Sequence, residues 1–266
     1  MPIFALMKVS LVQTVLSWES PDNNFIRLDG VLGKIGKTDL VVLPEMFTTG
    51  FTMNTAKAEV LDDQSKTLSW MRQWAKALDA VITGSVACQE GSQYFNRLIW
   101  MRPDGSVDFY DKRHTFGFAG EDQHYQKGNN RLIEHWRGFD ICPLICYDLR
   151  FPVWSRNKWE HGKAQLDVLV YVANWPSARR EAWSTLLRAR AIENQCYVLA
   201  VNRVGTDPNG NIYAGDSAII SPKGEVLWTK SDLAEVGEWV LDKEDLAAFR
   251  DKFPVLKDGD DFQWIG

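Results

Sequence analysis

The sequence predicts an α/β protein in which the sheets pack together and the helices lie outside them. Short runs rich in β-branched residues alternate with amphipathic segments along the chain, as strands and helices do in an α/β core. Pro103-Asp104-Gly105 and Pro222-Lys223-Gly224 each lie between strand-like runs and predict hairpin turns. An apolar fraction of 45% in 266 residues is typical of a globular chain with a sizeable core.

The first elements follow in the order strand, helix, strand. Lys8–Gln13 is typical of a strand, Pro21–Ile35 is amphipathic, and Asp39–Leu43 is a second strand-like run. Ser65–Leu78 has apolar residues at helical spacing behind a serine that can cap the helix. Ala80–Ala87 then returns to strand character, so the alternation continues.

The rest of the chain predicts a hairpin, four more strands and one long helix. The hairpin is NRLIWMRPDGSVDFYDK, the helix is Arg179–Asn194, and the strands are Arg137–Cys146, Asp167–Ala173, Tyr197–Val204 and Ala214–Ile220. No linker, repeat or change of composition divides the chain. We therefore predict one domain over residues 1–241 and a helical C-terminal extension over residues 242–266, packed on the domain or on a dimer partner.

Composition excludes several classes of function. The net charge is −5, with Lys and Arg scattered among Asp and Glu, which argues against nucleic-acid binding. The N-terminus lacks a basic leader and a small-residue cleavage site, and no stretch approaches the length of a membrane span. The four cysteines lack the spacing of a disulfide framework or zinc site, so we predict free thiols in the cytoplasm and no metal.

Cys146 is the candidate nucleophile among these cysteines. It ends the apolar run before it and is followed within one turn by Asp148 and Arg150, and the end of a strand is where α/β folds present reactive groups. A cysteine beside Ile and Leu is more often a small buried hydrophobe. That interpretation is kept for Cys88, Cys142 and Cys196.

Glu45 and Lys112 also follow predicted strands. Glu45 ends the run DLVVLPE at a half-buried position, and burial disfavours the charged carboxylate, which suits a group that accepts and returns a proton. Lys112 follows VDFYD and could stabilise a developing oxyanion. The alternatives are a capping or ion-paired carboxylate for Glu45 and a solvated surface side chain for Lys112.

The three residues in their local motifs resemble the catalytic Glu-Lys-Cys set of the nitrilase (carbon-nitrogen hydrolase) superfamily. The resemblance spans nearly the whole chain and rests on VVLPEMFTTGF, CYDLRFP and RARAIENQCYVLAVNRVG, which occur in the family's order. It implies a single-domain α-β-β-α sandwich. It also implies that Cys146 is the nucleophile, Glu45 the general base and Lys112 the oxyanion-stabilising group, with no metal or organic cofactor.

A fourth residue, Glu121 in GEDQHYQKGN, matches a second family glutamate that orients the lysine and the substrate. The backbone N–H of Tyr147 would share the oxyanion with Lys112. In this scheme Glu45 takes the thiol proton, the sulfur attacks the amide carbon, and water then hydrolyses the thioester.

Within the superfamily, CYDLRFP and the short chain resemble the ω-amidase branch, which acts on small amides of dicarboxylic acids such as 2-oxoglutaramate. A substrate with a distal carboxylate needs a cationic partner. Arg150 and Arg113 are the candidates, although either could instead pair with Asp148 or Asp111. The candidate pocket walls are aromatic: Phe51, Phe118 and Trp175. The family also implies a homodimer formed through residues 152–160 and 179–194.

Four alternatives stay open at this point. A Cys-His hydrolase could use His114, two residues after Lys112. A nitrilase or an N-carbamoyl amidohydrolase would share the same catalytic residues. A catalytically silent interaction protein on the same scaffold is the fourth, and the intact Glu, Lys and Cys argue against it.

Overall fold

Strands and helices alternate along the chain, which the computed structural model describes for residues 5–260. The first half contains, in order, β1 (Leu6–Gln13), α1 (Pro21–Leu32), β2 (Leu40–Val42), β3 (Glu59–Val60), α2 (Lys66–Leu78), β4 (Val81–Glu90), β5 (Gln93–Met101) and β6 (Val107–Asp111). The second half contains β7 (Glu134–Trp136), β8 (Phe139–Ile145), β9 (Trp159–Glu160), β10 (Lys163–Ala164), β11 (Val168–Ala173), α3 (Arg180–Asn194), β12 (Tyr197–Asn202), β13 (Val204–Thr206), β14 (Ile212–Ile220), β15 (Val226–Ser231), β16 (Glu235–Asp242) and α4 (Lys243–Lys252).

Within residues 5–260 the strands form two mixed sheets of 7 strands each, and β9 pairs only with β10. The first sheet has the order β16-β1-β2-β4-β5-β6, with β3 beside β4, and its central strands β1, β2 and β4 are parallel. The second has the order β13-β14-β12-β11-β8-β7, with β15 beside β14, and β8, β11 and β12 are parallel. The parallel strands of each sheet therefore end at a common edge.

Alternation along β2 shows how the first sheet is covered on both faces. Leu40 and Val42 belong to the large core between the two sheets, whereas Val41 belongs to a second cluster with α1 and α2. This is the period of two that a pleated strand imposes. The helices attach to the outer face through Leu28 and Met71, among others.

The second sheet is buried along its central strands. All of β11, Val168–Ala173, is buried, which is typical of a parallel strand covered on both faces. Helix α3 packs against β12 and β14 and contributes Trp183 and Leu187 to the core. The predicted layers, two packed sheets with helices outside, are confirmed.

Strand β16 is an element that the sequence did not indicate. It pairs antiparallel with β1 from Glu235 to Asp242, and its side chains are mostly exposed or half-buried, so its local pattern is only weakly apolar. Helix α4 follows without a linker and is attached by Arg250, whose Nη1 donates to Asp167 Oδ1 at 2.8 Å. The predicted end of the domain, Leu241, falls inside β16. Residues 261–266 of the predicted extension lie outside the described residues.

No helix within residues 5–260 is both long enough and apolar enough to cross a membrane.

Candidate active site

The ends of strands from both sheets bring the predicted catalytic residues together. Lys112 directly follows β6, Cys146 directly follows β8, and Glu45 lies three residues beyond β2. The side chains of Glu45 and Lys112 are both completely buried. Glu45 is therefore more buried than predicted, and Lys112 is not a solvated surface residue.

Lys112 joins two carboxylates in this interior. Its Nζ donates to Glu45 Oε1 at 2.8 Å and to Glu121 at 3.0 Å (Oε1) and 2.8 Å (Oε2). Glu121, in a short 3-10 turn, is also fully buried. One ammonium and two carboxylates within hydrogen-bonding distance form a charged cluster that can survive burial only because its members pair.

Two asparagines fix the orientation of this cluster. Asn96 Nδ2 donates to Glu45 Oε1 at 2.8 Å and to Glu121 Oε1 at 3.0 Å, and Ser85 Oγ donates to Asn96 Oδ1 at 2.8 Å. From the second sheet, the backbone N–H of Asn174 donates to Glu45 Oε2 at 2.8 Å. Both oxygens of Glu45 are therefore held by partners that come from different sheets.

The protonation states follow from burial and from these pairs. Burial alone would lower the pKa of Lys112, but the charges of Glu121 and Glu45 outweigh it and raise that pKa above its usual value. Burial raises the pKa of Glu121, and the charge of Lys112 opposes this. Lys112 therefore stays a cation and serves as a donor.

Cys146 opens the turn that follows β8 with a left-handed backbone. Its φ is 44°, which costs energy for a residue other than glycine and is often found at functional sites. Asp148, completely buried, holds the turn by accepting from the backbone N–H of Ile145 at 3.0 Å and from Tyr110 Oη at 2.7 Å. The turn thus fixes where the sulfur points.

The thiol of Cys146 is protonated at rest. Burial raises its pKa well above the usual value, the negative charge of Glu45 raises it further, and Lys112 acts in the opposite direction. A hydrogen bond with the Glu45 carboxylate also contributes. A carboxylate beside a neutral thiol can take its proton as the sulfur attacks a carbonyl carbon.

Cys146 lines a pocket of about 160 Å³. The walls are mostly aromatic and amide, with two guanidinium groups and no acidic side chain: Phe51, Phe116, Phe118, Ala119, Tyr147, Arg150, Asn174, Trp175, Pro176, Arg179, Asn211 and Tyr213. A cavity of this size admits a small molecule.

Only one thiol should react with iodoacetamide. The side chains of Cys88, Cys142 and Cys196 are completely buried, and burial raises the pKa of both Cys88 and Cys142 to about 12. Cys146 opens into the pocket, so we expect a single carbamidomethyl group, located by peptide mass mapping and absent from Cys146→Ala. A label on any of the other three cysteines of the folded protein would contradict this arrangement.

The predicted substrate-contacting residues separate into two groups. Tyr147, Arg150, Phe118 and Trp175 line the pocket, and Phe118 stands at its mouth, 87% exposed. Arg113 does not line it. The Arg113 guanidinium contacts the carbonyl of Gly128, the side chain of Asn129 and the ring of Trp154.

The suggested ion pairs of these arginines are not formed within residues 5–260. Asp111 pairs with Arg97, through Oδ1 and Nε at 2.6 Å. The carboxylate of Asp148 is occupied by Ile145, Tyr110 and His114, so neither carboxylate takes the arginine considered for it.

His114 is committed to a structural contact. Its Nδ1 lies 2.8 Å from Asp148 Oδ1, its backbone N–H donates to the same oxygen at 3.0 Å, and its ring stacks on Phe151 at 3.8 Å. The groups with the largest effect on the pKa of Cys146 are Glu45, Lys112 and Glu121. This geometry disfavours a Cys-His pair.

Sequence reasoning missed Asn96, Asn174 and Arg179. Asn174 carries the same signal that identified Cys146, a polar residue directly after a buried strand, in this case β11. Asn96 lies inside β5 and Arg179 stands beside a second arginine, so neither had a distinguishing signal. Within residues 5–260 no cluster of three or more His, Cys, Asp or Glu side chains could hold a metal ion.

Comparison with known proteins agrees with this geometry. The carbon-nitrogen hydrolase family profile matches residues 8–251. The chain is 45% identical over 258 residues to omega-amidase YafV of Escherichia coli, covering 97% of this chain and 98% of that one. It is 33% identical over 253 residues to 2-oxoglutaramate amidase of Bacillus subtilis, covering 94% and 96% of the two chains.

A solved structure shows the same architecture. A carbon-nitrogen hydrolase superfamily protein of Xanthomonas campestris, which carries an arsenic adduct in its active site, is 44% identical and superimposes with a TM-score of 0.95, covering 97% of this chain and 99% of that one. The family and fold that the motifs implied are confirmed. This chain belongs to the carbon-nitrogen hydrolase family of the nitrilase superfamily.

Proposed function

We propose that the chain is an ω-amidase, a cysteine-dependent hydrolase that converts the terminal amide of a small dicarboxylate monoamide to the acid and ammonia. The observation that carries this proposal is the buried cluster of Glu45, Lys112 and Glu121 beside Cys146 at the wall of a small pocket. It supplies a nucleophile, a proton acceptor and a fixed cation at one place.

In the first half of the reaction, the Cys146 sulfur gives its proton to Glu45 and bonds to the amide carbon. Lys112 Nζ and the backbone N–H of Tyr147 stabilise the resulting oxyanion. Glu121 positions Lys112 through its two hydrogen bonds. When the carbon–nitrogen bond breaks, Glu45 returns the proton to the leaving nitrogen, and ammonia and a thioester are formed.

In the second half, water gives a proton to Glu45 and adds to the thioester carbon. The tetrahedral intermediate passes through the same oxyanion contacts. It then expels the Cys146 sulfur, which recovers a proton from Glu45, and the carboxylic acid leaves. Proton and oxygen balance are complete with water as the sole co-reactant.

Asn174 supports the choice of an amide as substrate. Its Oδ1 is buried and has no hydrogen-bond partner within residues 5–260, while the residue lines the pocket beside Cys146. An acceptor left unsatisfied in the interior is costly unless a ligand supplies a donor. The N–H groups of a primary amide are such donors, and a nitrile has none.

Ammonia release from a panel of substrates tests the proposal. The enzyme should release ammonia from 2-oxoglutaramate and 2-oxosuccinamate faster than from glutamine, from an N-carbamoyl amino acid or from a nitrile of matched length. Higher turnover of the nitrile would make the chain a nitrilase, and preference for an N-carbamoyl amino acid would make it a carbamoyl hydrolase. Failure to hydrolyse any member would favour an interaction protein on the same scaffold.

We propose in addition that the chain forms a homodimer through residues 152–160 and 179–194. Val153 and Ile192, one in each segment, are large apolar side chains that are 50% and 52% exposed in the single chain. Sedimentation equilibrium should give twice the mass of one chain.

A cytoplasmic location is also proposed, because Cys88, Cys142, Cys146 and Cys196 are all free thiols, and fractionation of cells tests it.

A further inference from the structure

We propose that Arg179, together with Arg150, forms a carboxylate-binding subsite that makes the enzyme select amides with an anionic far end. The inference rests on the proposed amidase function and adds a residue to it. Both arginines line the pocket that Cys146 opens into, and its lining contains no acidic residue.

Neither arginine has a counter-charge in the part of the chain that the structure describes. Arg150 and Arg179 take part in no ion pair there, whereas the next residue, Arg180, pairs with Asp216 at 2.7 Å. Two cations at the wall of a cavity of about 160 Å³ repel each other until an anion is present. The site is therefore electrostatically complementary to a carboxylate.

Trp175 contacts both arginines, Arg150 through its guanidinium and Arg179 through its backbone carbonyl. The Arg150 guanidinium lies 4.9 Å from the centre of the Trp175 ring, and Trp175 Nε1 donates to the backbone carbonyl of Arg179 at 2.8 Å. The Arg179 guanidinium in turn lies over Phe116 and Phe118, at 5.3 and 5.9 Å. A guanidinium held against an aromatic ring can still direct its N–H groups to a carboxylate.

The position relative to Cys146 defines the substrate class. The amide carbon must lie at the sulfur, and the cavity is small, so the carboxylate and amide belong to one short molecule. A dicarboxylate monoamide has both groups at opposite ends. A neutral amide of the same shape would leave the two cations without a partner, and such unpaired groups discriminate strongly.

Glutaramate and glutaramide provide a matched pair of substrates, since they differ only in whether the far end is a carboxylate or a neutral amide. We expect the wild-type kcat/KM for glutaramate to exceed that for glutaramide by about tenfold or more, as charge-assisted hydrogen bonds allow. Arg179→Gln should lower this ratio by about tenfold. Arg180→Gln, the adjacent exposed arginine, should leave the ratio unchanged.

An unchanged ratio in Arg179→Gln would overturn the proposal. If both kcat/KM values also fell by the same factor, Arg179 would have a structural role only. Arg179→Lys restores the charge without the planar fork, so it should recover part of the ratio. If Arg179→Gln does not fold, Arg179→Lys is measured instead. A ratio of kcat/KM for glutaramate over glutaramide equal to that of the wild type would then contradict the role given to the planar guanidinium of Arg179.

Calorimetric titration with glutarate separates this proposal from the amidase function. Glutarate should bind the wild type and Arg180→Gln, and bind Arg179→Gln about tenfold more weakly. Binding that depends on Arg179 without turnover of any amide would retain the subsite and reject the amidase. Turnover of amides with equal affinity of all three proteins for glutarate would retain the amidase and reject the subsite.

Discussion

Cys146→Ala is expected to lower kcat for amide hydrolysis by about 10⁴-fold or more, because it removes the only atom that can form the thioester. The side chain is small and 9% exposed, and Asp148 holds the turn independently of the sulfur. The folded structure should therefore persist. A far-UV circular dichroism spectrum identical to that of wild type would establish that the loss is chemical.

Mass spectrometry adds a direct readout of the intermediate. Wild-type enzyme quenched during turnover of 2-oxoglutaramate should carry an adduct with the mass of the substrate minus ammonia, and Cys146→Ala should carry none. Cys142→Ala is the matched control, since Cys142 is a completely buried thiol on β8, the strand that Cys146 follows. Full activity of Cys146→Ala, or an adduct on another cysteine, would refute the mechanism.

The residues that sequence reasoning located share one physical signal. Glu45, Lys112 and Cys146 each follow the end of a strand, and the end of a strand is where α/β folds present reactive groups. Their convergence follows from topology, because the strands that carry them end at one edge of two facing sheets. Helix α2 could also be predicted from its apolar spacing and its capping serine. In the structure Ser65 Oγ accepts from the Leu68 N–H at 3.0 Å, as a helix cap does.

Burial and pairing could not be obtained from local sequence. Lys112 can be buried only because Glu121 and Glu45, which is 67 positions away, both pair with it. These tertiary contacts explain why it is not the surface residue that a lysine usually is. Arg179 and Arg180 are indistinguishable as neighbours, yet one stacks on Phe116 and the other pairs with Asp216. Such choices depend on where the other chain segments lie.

The left-handed backbone of Cys146 and the strand β16 were missed for different reasons. A positive φ at a residue other than glycine has no signature in composition, since the surrounding hydrogen bonds impose it. Strand β16 carries few buried residues and is defined by its pairing with β1, which comes more than two hundred residues earlier in the chain. Edge strands of this kind have little apolar periodicity to detect.

Lys112→Met is expected to have the second large effect, on stability as well as on activity. The substitution keeps the length of the side chain and leaves the carboxylates of Glu45 and Glu121 buried without their cation. Breaking a buried ion pair by removing one partner costs about 3–5 kcal/mol of unfolding free energy. Loss of the oxyanion donor should lower kcat by a further factor of about 10²–10³ in the protein that remains folded.

The pH dependence of stability gives this prediction a sign. In the wild type the raised pKa of Lys112 means that its contribution to stability is complete below the pKa of a free lysine and disappears only at strongly alkaline pH. Without Lys112, burial of Glu121 loses its largest opposing influence, so the already raised pKa of that carboxyl rises further above its ordinary 4.5. Between pH 4.5 and the raised pKa of Glu121, the folded state of this variant binds more protons than the unfolded state. Lys112→Met should therefore become more stable as the pH is lowered from neutral towards 4.5.

Urea unfolding of three variants separates the two effects of the lysine. Lys127→Met, at an exposed lysine, should match the wild type in stability and activity. Adding Glu121→Gln to Lys112→Met removes one of the two carboxylates, so it should recover part of the lost unfolding free energy and flatten its pH dependence while activity stays low. If the double variant is less stable than Lys112→Met, the carboxylates of Glu45 and Glu121 do not repel each other. The claim that Lys112 stabilises the cluster by pairing with both of them is then wrong. Recovery of activity together with stability would instead show that Lys112 acts only by holding the site together, and that the oxyanion depends on the N–H of Tyr147 alone.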